Sequence, residues 1–161
     1  MLNRIRKSIS PTNPLRLFWH HICEALALII YRFPSRKIFV IGVTGTNGKT
    51  TTANIIARIL EEDKKTVALA TTVNFQLGTK KWDNLTKKTT LGRGGTQRFL
   101  RQAIKAGCTH AVLEVSSHAI IQHRVLGIKF DAAVLTNITN ISTFMALSIN
   151  TAKPKKSSFG I

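Results

Sequence analysis

The residues with the clearest chemical capacity are Gly45-Thr46-Asn47-Gly48-Lys49-Thr50-Thr51. They follow the apolar run 37–43 (KIFVIGV) and open a stretch, 50–62, in which Ile55, Ile56, Ile59 and Leu60 recur at helical spacing. A glycine-bearing turn between a buried strand and a helix is the setting a phosphate loop requires. Glycines let backbone N–H groups turn toward the β- and γ-phosphates. The helix start adds the positive end of its dipole. Lys49 brings a mobile positive charge to the phosphates, and Thr50 offers a hydroxyl to Mg²⁺. The common pattern has a glycine five residues before Gly48. Val43 stands there, so the loop is a variant. The plain alternative is an ordinary glycine-rich strand-to-helix turn, which the Gly-Lys-Thr triplet in this context argues against.

A second run, Glu114-Val115-Ser116-Ser117-His118-Ala119-Ile120-Ile121-Gln122-His123-Arg124-Val125, starts at the end of an expected strand. Ligands sit at the carboxyl ends of strands in open α/β sheets. A carboxylate placed there can hold Mg²⁺ beside a nucleotide. Glu114 could equally cap the following helix as a structural residue. His118 and His123 read as surface histidines, with no carboxylate–histidine spacing that would mark a zinc site. Arg124 can pair with a carboxylate or phosphate through two donors at once. Thr89-Thr90, reached after a basic loop, carries no signal by itself.

These residues must be positioned by a repeating pattern of strand and helix. Strands are expected over 37–43, 66–70, 110–115 and 130–136, and helices over 50–62 and 96–106, the latter closed by Gly107. A short helix is expected between the last two strands. Residues 72–90 read as irregular, with a hairpin around Gly78. The alternation implies an α/β fold with a mainly parallel sheet covered by helices on both faces. Before it, Pro14 starts and Pro34-Ser35 ends a helix in which Leu15, Phe18, Trp19, Ile22, Leu26, Ile29, Ile30 and Phe33 recur, with Arg16, His20 and Glu24 opposite. It is too polar for a membrane span and runs on too far for a signal peptide. We read an amphipathic helix packing its apolar side on its own domain. A membrane-interface helix is the rival, favoured by Arg4, Arg6, Lys7 and Trp19.

The 161 residues are enough for one domain with a core. A hydrophobic share of 43% and a charged share of 19% exclude a disordered chain. The net charge of +17 calls for anionic partners. Its basic pairs, Lys64-Lys65, Lys80-Lys81, Lys87-Lys88 and Lys155-Lys156, read as solvated loop positions. Cys23 and Cys108 offer neither metal spacing nor a disulfide framework and read as two thiols in a reducing cytosol.

From about residue 37 to 140 the chain resembles the central ATP-binding domain of the Mur ligases. The branch it is most similar to is the one that adds the third residue of the cell-wall stem peptide. The resemblance rests on the phosphate loop, the run from Glu114, and Thr136-Asn137-Ile138-Thr139. It implies ATP and Mg²⁺ as cofactors. Gly45, Thr46, Asn47, Gly48, Lys49, Thr50 and Thr51 would hold the nucleotide, with Lys49 catalytic and Thr50 and Glu114 ligating the metal. Thr89, Thr90, Ser116, Gln122 and Arg124 would contact UDP-MurNAc-L-Ala-D-Glu. Leu91 departs from the family, which follows the threonine pair with proline. The implied reaction is an ATP-dependent, ADP-forming ligation in the cytoplasm. The substrate carboxylate becomes an acyl phosphate, which the amine of the incoming amino acid attacks.

Past Asn140 the resemblance ends. The organisation expected is a basic segment with its helix over 1–35, a partial central domain over 36–140, and a tail over 141–161 that is disordered or shifted in reading frame. The family's uridine-binding and lid domains have no counterpart in these residues, so the isolated chain is expected not to ligate. Two other functions stay open. One is a phosphate-loop module completed by a partner chain. The other is a nucleic-acid-binding protein, which the scarcity of interleaved aromatics disfavours.

Overall fold

The computed structural model describes residues 14–85, 89–92 and 94–138. Helix α1 (Pro14–Ile30) and a 3-10 turn (Pro34–Arg36) lead into strand β1 (Phe39–Thr44) and helix α2 (Lys49–Glu62). There follow β2 (Val67–Ala70), β3 (Asn74–Leu77), β4 (Lys80–Asp83), α3 (Gly95–Lys105), β5 (His110–Glu114), α4 (Ser117–Ile121) and β6 (Ala132–Leu135). The tail 141–161, the start 1–13, Lys87-Lys88 and Lys155-Lys156 lie outside the described residues.

The six strands form one sheet in the order β4-β3-β2-β5-β1-β6. Strands β2, β5, β1 and β6 are parallel, and β3 and β4 add an antiparallel margin. The hairpin expected around Gly78 is this β3–β4 pair, so Lys80-Lys81 lies in a strand and not in a loop.

Side chains alternate across the parallel strands, as the two-residue period of a strand requires. Val40, Ala68, Ala70, Ala111 and Leu113 face one way and pack with Phe99, Leu100 and Ala103 of α3. Ile41, Val43, Val67, Leu69 and Val112 face the other way and pack with Ala53 and Ala57 of α2. Both sheet faces are therefore covered, and the central strands are apolar almost without interruption.

Helix α1 differs from expectation. Glu24, Ala27 and Leu28 turn inward and are buried, while Phe18, Leu26, Ile29 and Ile30 are exposed. Glu24, expected on the solvent side, accepts a hydrogen bond from Gly94 N–H at 2.8 Å. Gly94 is the N-cap of α3, where unpaired N–H groups and the helix dipole favour a carboxylate. That interaction offsets the cost of burying the charge and turns the helix about its axis. The 3-10 turn anchors the same region, because Ser35 Oγ accepts from Lys129 N–H at 3.0 Å.

Candidate functional site: a glycine loop joined to a second polar cluster

The parallel strands end on one edge, and the candidate residues collect there. In the register, Val43 pairs with Glu114, Thr44 with Leu135 and Ala70 with Leu113. The segments following β1, β2, β5 and β6 are therefore neighbours, in the position where open α/β sheets bind ligands.

The loop from β1 to α2 is held by the segment after β6. Thr136 Oγ1 donates to Asn47 O at 2.6 Å and to Thr44 O at 3.3 Å. Asn47 N–H donates to Asn137 Oδ1 at 2.9 Å, and Thr46 N–H to Asn137 O at 3.1 Å. Gly45 is buried at φ 141°, and a Cβ there would collide with Thr136 Oγ1. Only glycine lets the chain pass so close in that conformation. Gly48, at φ 78°, caps α2 in the left-handed region. The first turn of α2 has N–H groups with no carbonyl one turn earlier, so it points donors at whatever the loop encloses. Lys49 Nζ lies over the loop and donates to the carbonyls of Gly45 and Thr46, each at 2.9 Å.

Thr50 Oγ1 donates to Glu114 Oε2 at 2.9 Å. Thr72, just beyond β2, donates to the same carboxylate from N–H (2.8 Å, Oε2) and from Oγ1 (3.0 Å, Oε1). Glu114 is 4% exposed, and the ion pairs among the described residues do not include it. A buried carboxylate met by hydroxyl and amide donors fits a hard divalent cation. Among the described residues no cluster of three or more His, Cys, Asp or Glu could hold a metal alone. One carboxylate with a hydroxyl beside it suits Mg²⁺, which keeps waters and takes phosphate oxygens. The capping alternative for Glu114 falls away, since Ser116 caps α4 by accepting from Ala119 N–H at 3.3 Å.

The residues expected to contact the UDP-linked substrate also meet. Thr90 Oγ1 donates to the backbone carbonyl of Glu114 at 3.4 Å and accepts from Ser116 N–H at 3.3 Å. Arg124 Nη1 donates to Thr90 O at 3.3 Å, and its Nη2 to Gln122 Oε1 at 2.6 Å. Thr89, Thr90, Leu91, Thr96, Glu114 and Val125 line a small hollow. Thr96 Oγ1 is buried there with no hydrogen-bond partner among the described residues. Glu114 thus stands between two clusters: its carboxylate meets the phosphate loop, and its carbonyl meets Thr90. Thr51 lies exposed on the first turn of α2, and His118 is exposed as expected. His123 is half-buried against His21 of α1, ring centroids 5.2 Å apart. Burial, and then the neighbouring His21, hold its imidazole below the ordinary histidine range.

The sequence reading missed the roles of Thr72 and Asn137. The only local trace of Thr72 is a polar Thr71-Thr72 pair closing a buried strand. Its contact with Glu114 depends on β2 lying beside β5, which local sequence does not encode.

The Mur ligase middle domain matches residues 43–141. The chain belongs to the Mur ligase family. It is 43% identical over 120 residues to UDP-N-acetylmuramoyl-L-alanyl-D-glutamate–2,6-diaminopimelate ligase of Gloeobacter violaceus, covering 73% of this chain and 23% of that protein. It is 40% identical over 116 residues to UDP-N-acetylmuramyl-tripeptide synthetase of Roseiflexus sp., covering 71% and 23% respectively. A solved structure of a UDP-N-acetylmuramoyl-L-alanyl-D-glutamate–2,6-diaminopimelate ligase superposes with a TM-score of 0.65 at 28% identity. That superposition spans 80% of this chain and 28% of the other. The chain therefore spans about a quarter of the length of these relatives. The Mur ligase match begins within β1 and takes in both polar clusters, so the α/β architecture expected from the strand–helix alternation is the Mur ligase fold. Among the described residues no helix is long and apolar enough to cross a membrane.

Proposed function

We propose that this chain carries the ATP-binding portion of a ligase that extends UDP-MurNAc-L-Ala-D-Glu by one amino acid in peptidoglycan precursor synthesis. The observation that carries the reading is Glu114, whose side chain bonds Thr50 at the head of α2 while its carbonyl bonds Thr90. A residue shared in this way sets a phosphoryl donor and a carboxylate acceptor side by side, which is what phosphoryl transfer between two bound substrates needs. The activities for which the relatives are named supply the substrate class.

In this reading, loop N–H groups and Lys49 bind the β- and γ-phosphates and stabilise charge that develops during transfer. Mg²⁺ would be held by Thr50 and Glu114 and would contribute charge neutralisation at the phosphates. Lys49 would leave the Gly45 and Thr46 carbonyls for phosphate oxygens. Thr89, Thr90, Ser116, Gln122 and Arg124 bind the UDP-linked peptide, with Arg124 suited to one of its anionic groups. The transfer yields an acyl phosphate and ADP. Attack by the amine of the incoming amino acid then forms the amide and releases phosphate. With ATP as the phosphoryl donor, a cytoplasmic reaction belongs to this proposal.

Binding of UDP-MurNAc-L-Ala-D-Glu to the chain with ATP and Mg²⁺ present tests this reading. Arg124→Ala should lower affinity for the dipeptide substrate and leave ATP affinity within about twofold, since the two clusters meet at Glu114. Equal loss of both ligands, or of neither, would remove Arg124 from the substrate site.

A further inference from the structure

The outward face of α1 is apolar, and none of the described residues covers it. Phe18 is 65% exposed, Leu26 54%, Ile29 65% and Ile30 69%, with Phe33 following at 38%. Positions 18, 22, 26, 29 and 30 recur at steps of three and four along this helix, about 25 Å long, and Phe33 follows in the turn after it. The opposite side is already occupied, because Glu24, Ala27 and Leu28 pack on the domain. A helix that is apolar on two sides is one that something covers on both.

Charge identifies the second cover. Residues 1–38 contain Arg4, Arg6, Lys7, Arg16, Arg32, Arg36 and Lys37 but a single acid, Glu24. That acid is fully buried against α3, so it offers nothing to a surface approaching from outside. Arg32, Arg36 and Lys37 are exposed just past the apolar stripe, with the Arg36 guanidinium 4.9 Å from the centre of the Phe33 ring. A second copy of this chain, itself at +17, would bring like charges together. An anionic lipid surface complements both features at once. Its headgroups neutralise the basic flanks, and its acyl boundary accepts the apolar stripe. No helix among the described residues is long and apolar enough to cross a membrane, so the helix would lie in the interface plane.

We propose that α1 docks this chain on an anionic membrane surface through Phe18, Leu26, Ile29, Ile30 and Phe33, with Arg32, Arg36 and Lys37 at its rim.

The test is co-sedimentation of the full chain with two kinds of vesicle: phosphatidylcholine alone, and phosphatidylcholine with about one third phosphatidylglycerol. The variants are Ile29→Asn/Ile30→Asn and Arg32→Gln/Arg36→Gln, each checked for an unchanged far-ultraviolet circular dichroism spectrum. Binding should require the anionic lipid. The isoleucine pair should weaken it roughly tenfold or more, since each lost side chain removes apolar burial. The arginine pair should weaken it and flatten its salt dependence. Anionic-vesicle binding that the isoleucine pair leaves unchanged would mean adhesion by net charge alone and would overturn the proposal. So would failure to bind either vesicle. A concentration-dependent dimer that the isoleucine pair abolishes, without vesicle binding, would assign the face to a second copy instead.

Discussion

Thr136→Val removes one hydroxyl and keeps the β-branched shape that suits the end of β6. The lost bonds are the 2.6 Å contact to Asn47 O and the weaker 3.3 Å contact to Thr44 O. The backbone bond from Thr136 N–H to Thr44 O, 2.9 Å, remains. A neutral hydrogen bond contributes about 0.5–1.5 kcal/mol net. Asn47 is exposed, so its carbonyl can turn to water, and the global stability cost should fall near the low end. The larger effect should be on nucleotide binding, because a loop that is no longer pre-set must be ordered when the phosphates arrive. A loss of about 1 kcal/mol corresponds to roughly fivefold weaker ATP binding. Titration calorimetry with ATP and Mg²⁺ on the parent, Thr136→Val and Thr136→Ser would measure it. Serine keeps the hydroxyl and should stay near the parent value. If serine and valine behave alike, the hydroxyl does not hold the loop and the reasoning fails.

Glu24→Ala should cost roughly 1–3 kcal/mol in urea unfolding, because it strips the acceptor from Gly94 N–H at the start of α3; Glu24→Gln, which keeps an acceptor, should cost less, and equal costs would count against the cap. His123 should make stability fall on acidification. Burial and then His21 hold its pKa below the ordinary 6.5, so the folded state takes up the proton less readily than the unfolded state. Stability is therefore lost as pH drops through the unfolded value, and the melting temperature should fall between about pH 7.5 and about pH 5.5. In His123→Gln that slope should shrink; an unchanged slope would exclude the pair as its source. The carboxylates act in a separate, lower window. At Glu61, burial pushes the pKa up, but Gln76, Lys81 and Arg58 outweigh it. At Asp131, burial likewise pushes up, and Lys129 and the Val40 N–H outweigh it. Both therefore contribute stability that is lost only as pH falls below the ordinary carboxylate range.

Much of the site was legible because local chemistry determines it. An unbroken apolar strand, a glycine turn and a helix with Lys49 and Thr50 at its head leave few alternatives, and the structure joins them as β1, loop and α2. Gly78 between short polar strands was equally readable as a hairpin. Glu24 was not, because a charged residue on an amphipathic helix faces water by default, and its partner Gly94 at the start of α3 is distant in sequence. The clasp of Asn137 on the loop and the grip of Thr72 on Glu114 depend on strand order. Sheet order is a property of long-range packing and has no local signature.

The central claim is that loop and carboxylate form one Mg²⁺–ATP site, and equilibrium binding of ATP to the full chain, with and without Mg²⁺, tests it most directly. The parent chain should bind ATP more tightly with Mg²⁺ than without it. Lys49→Ala should weaken binding under both conditions, whereas Glu114→Gln should abolish only the gain from Mg²⁺. ATP binding that Lys49→Ala leaves intact, or a Mg²⁺ gain that survives Glu114→Gln, would contradict it.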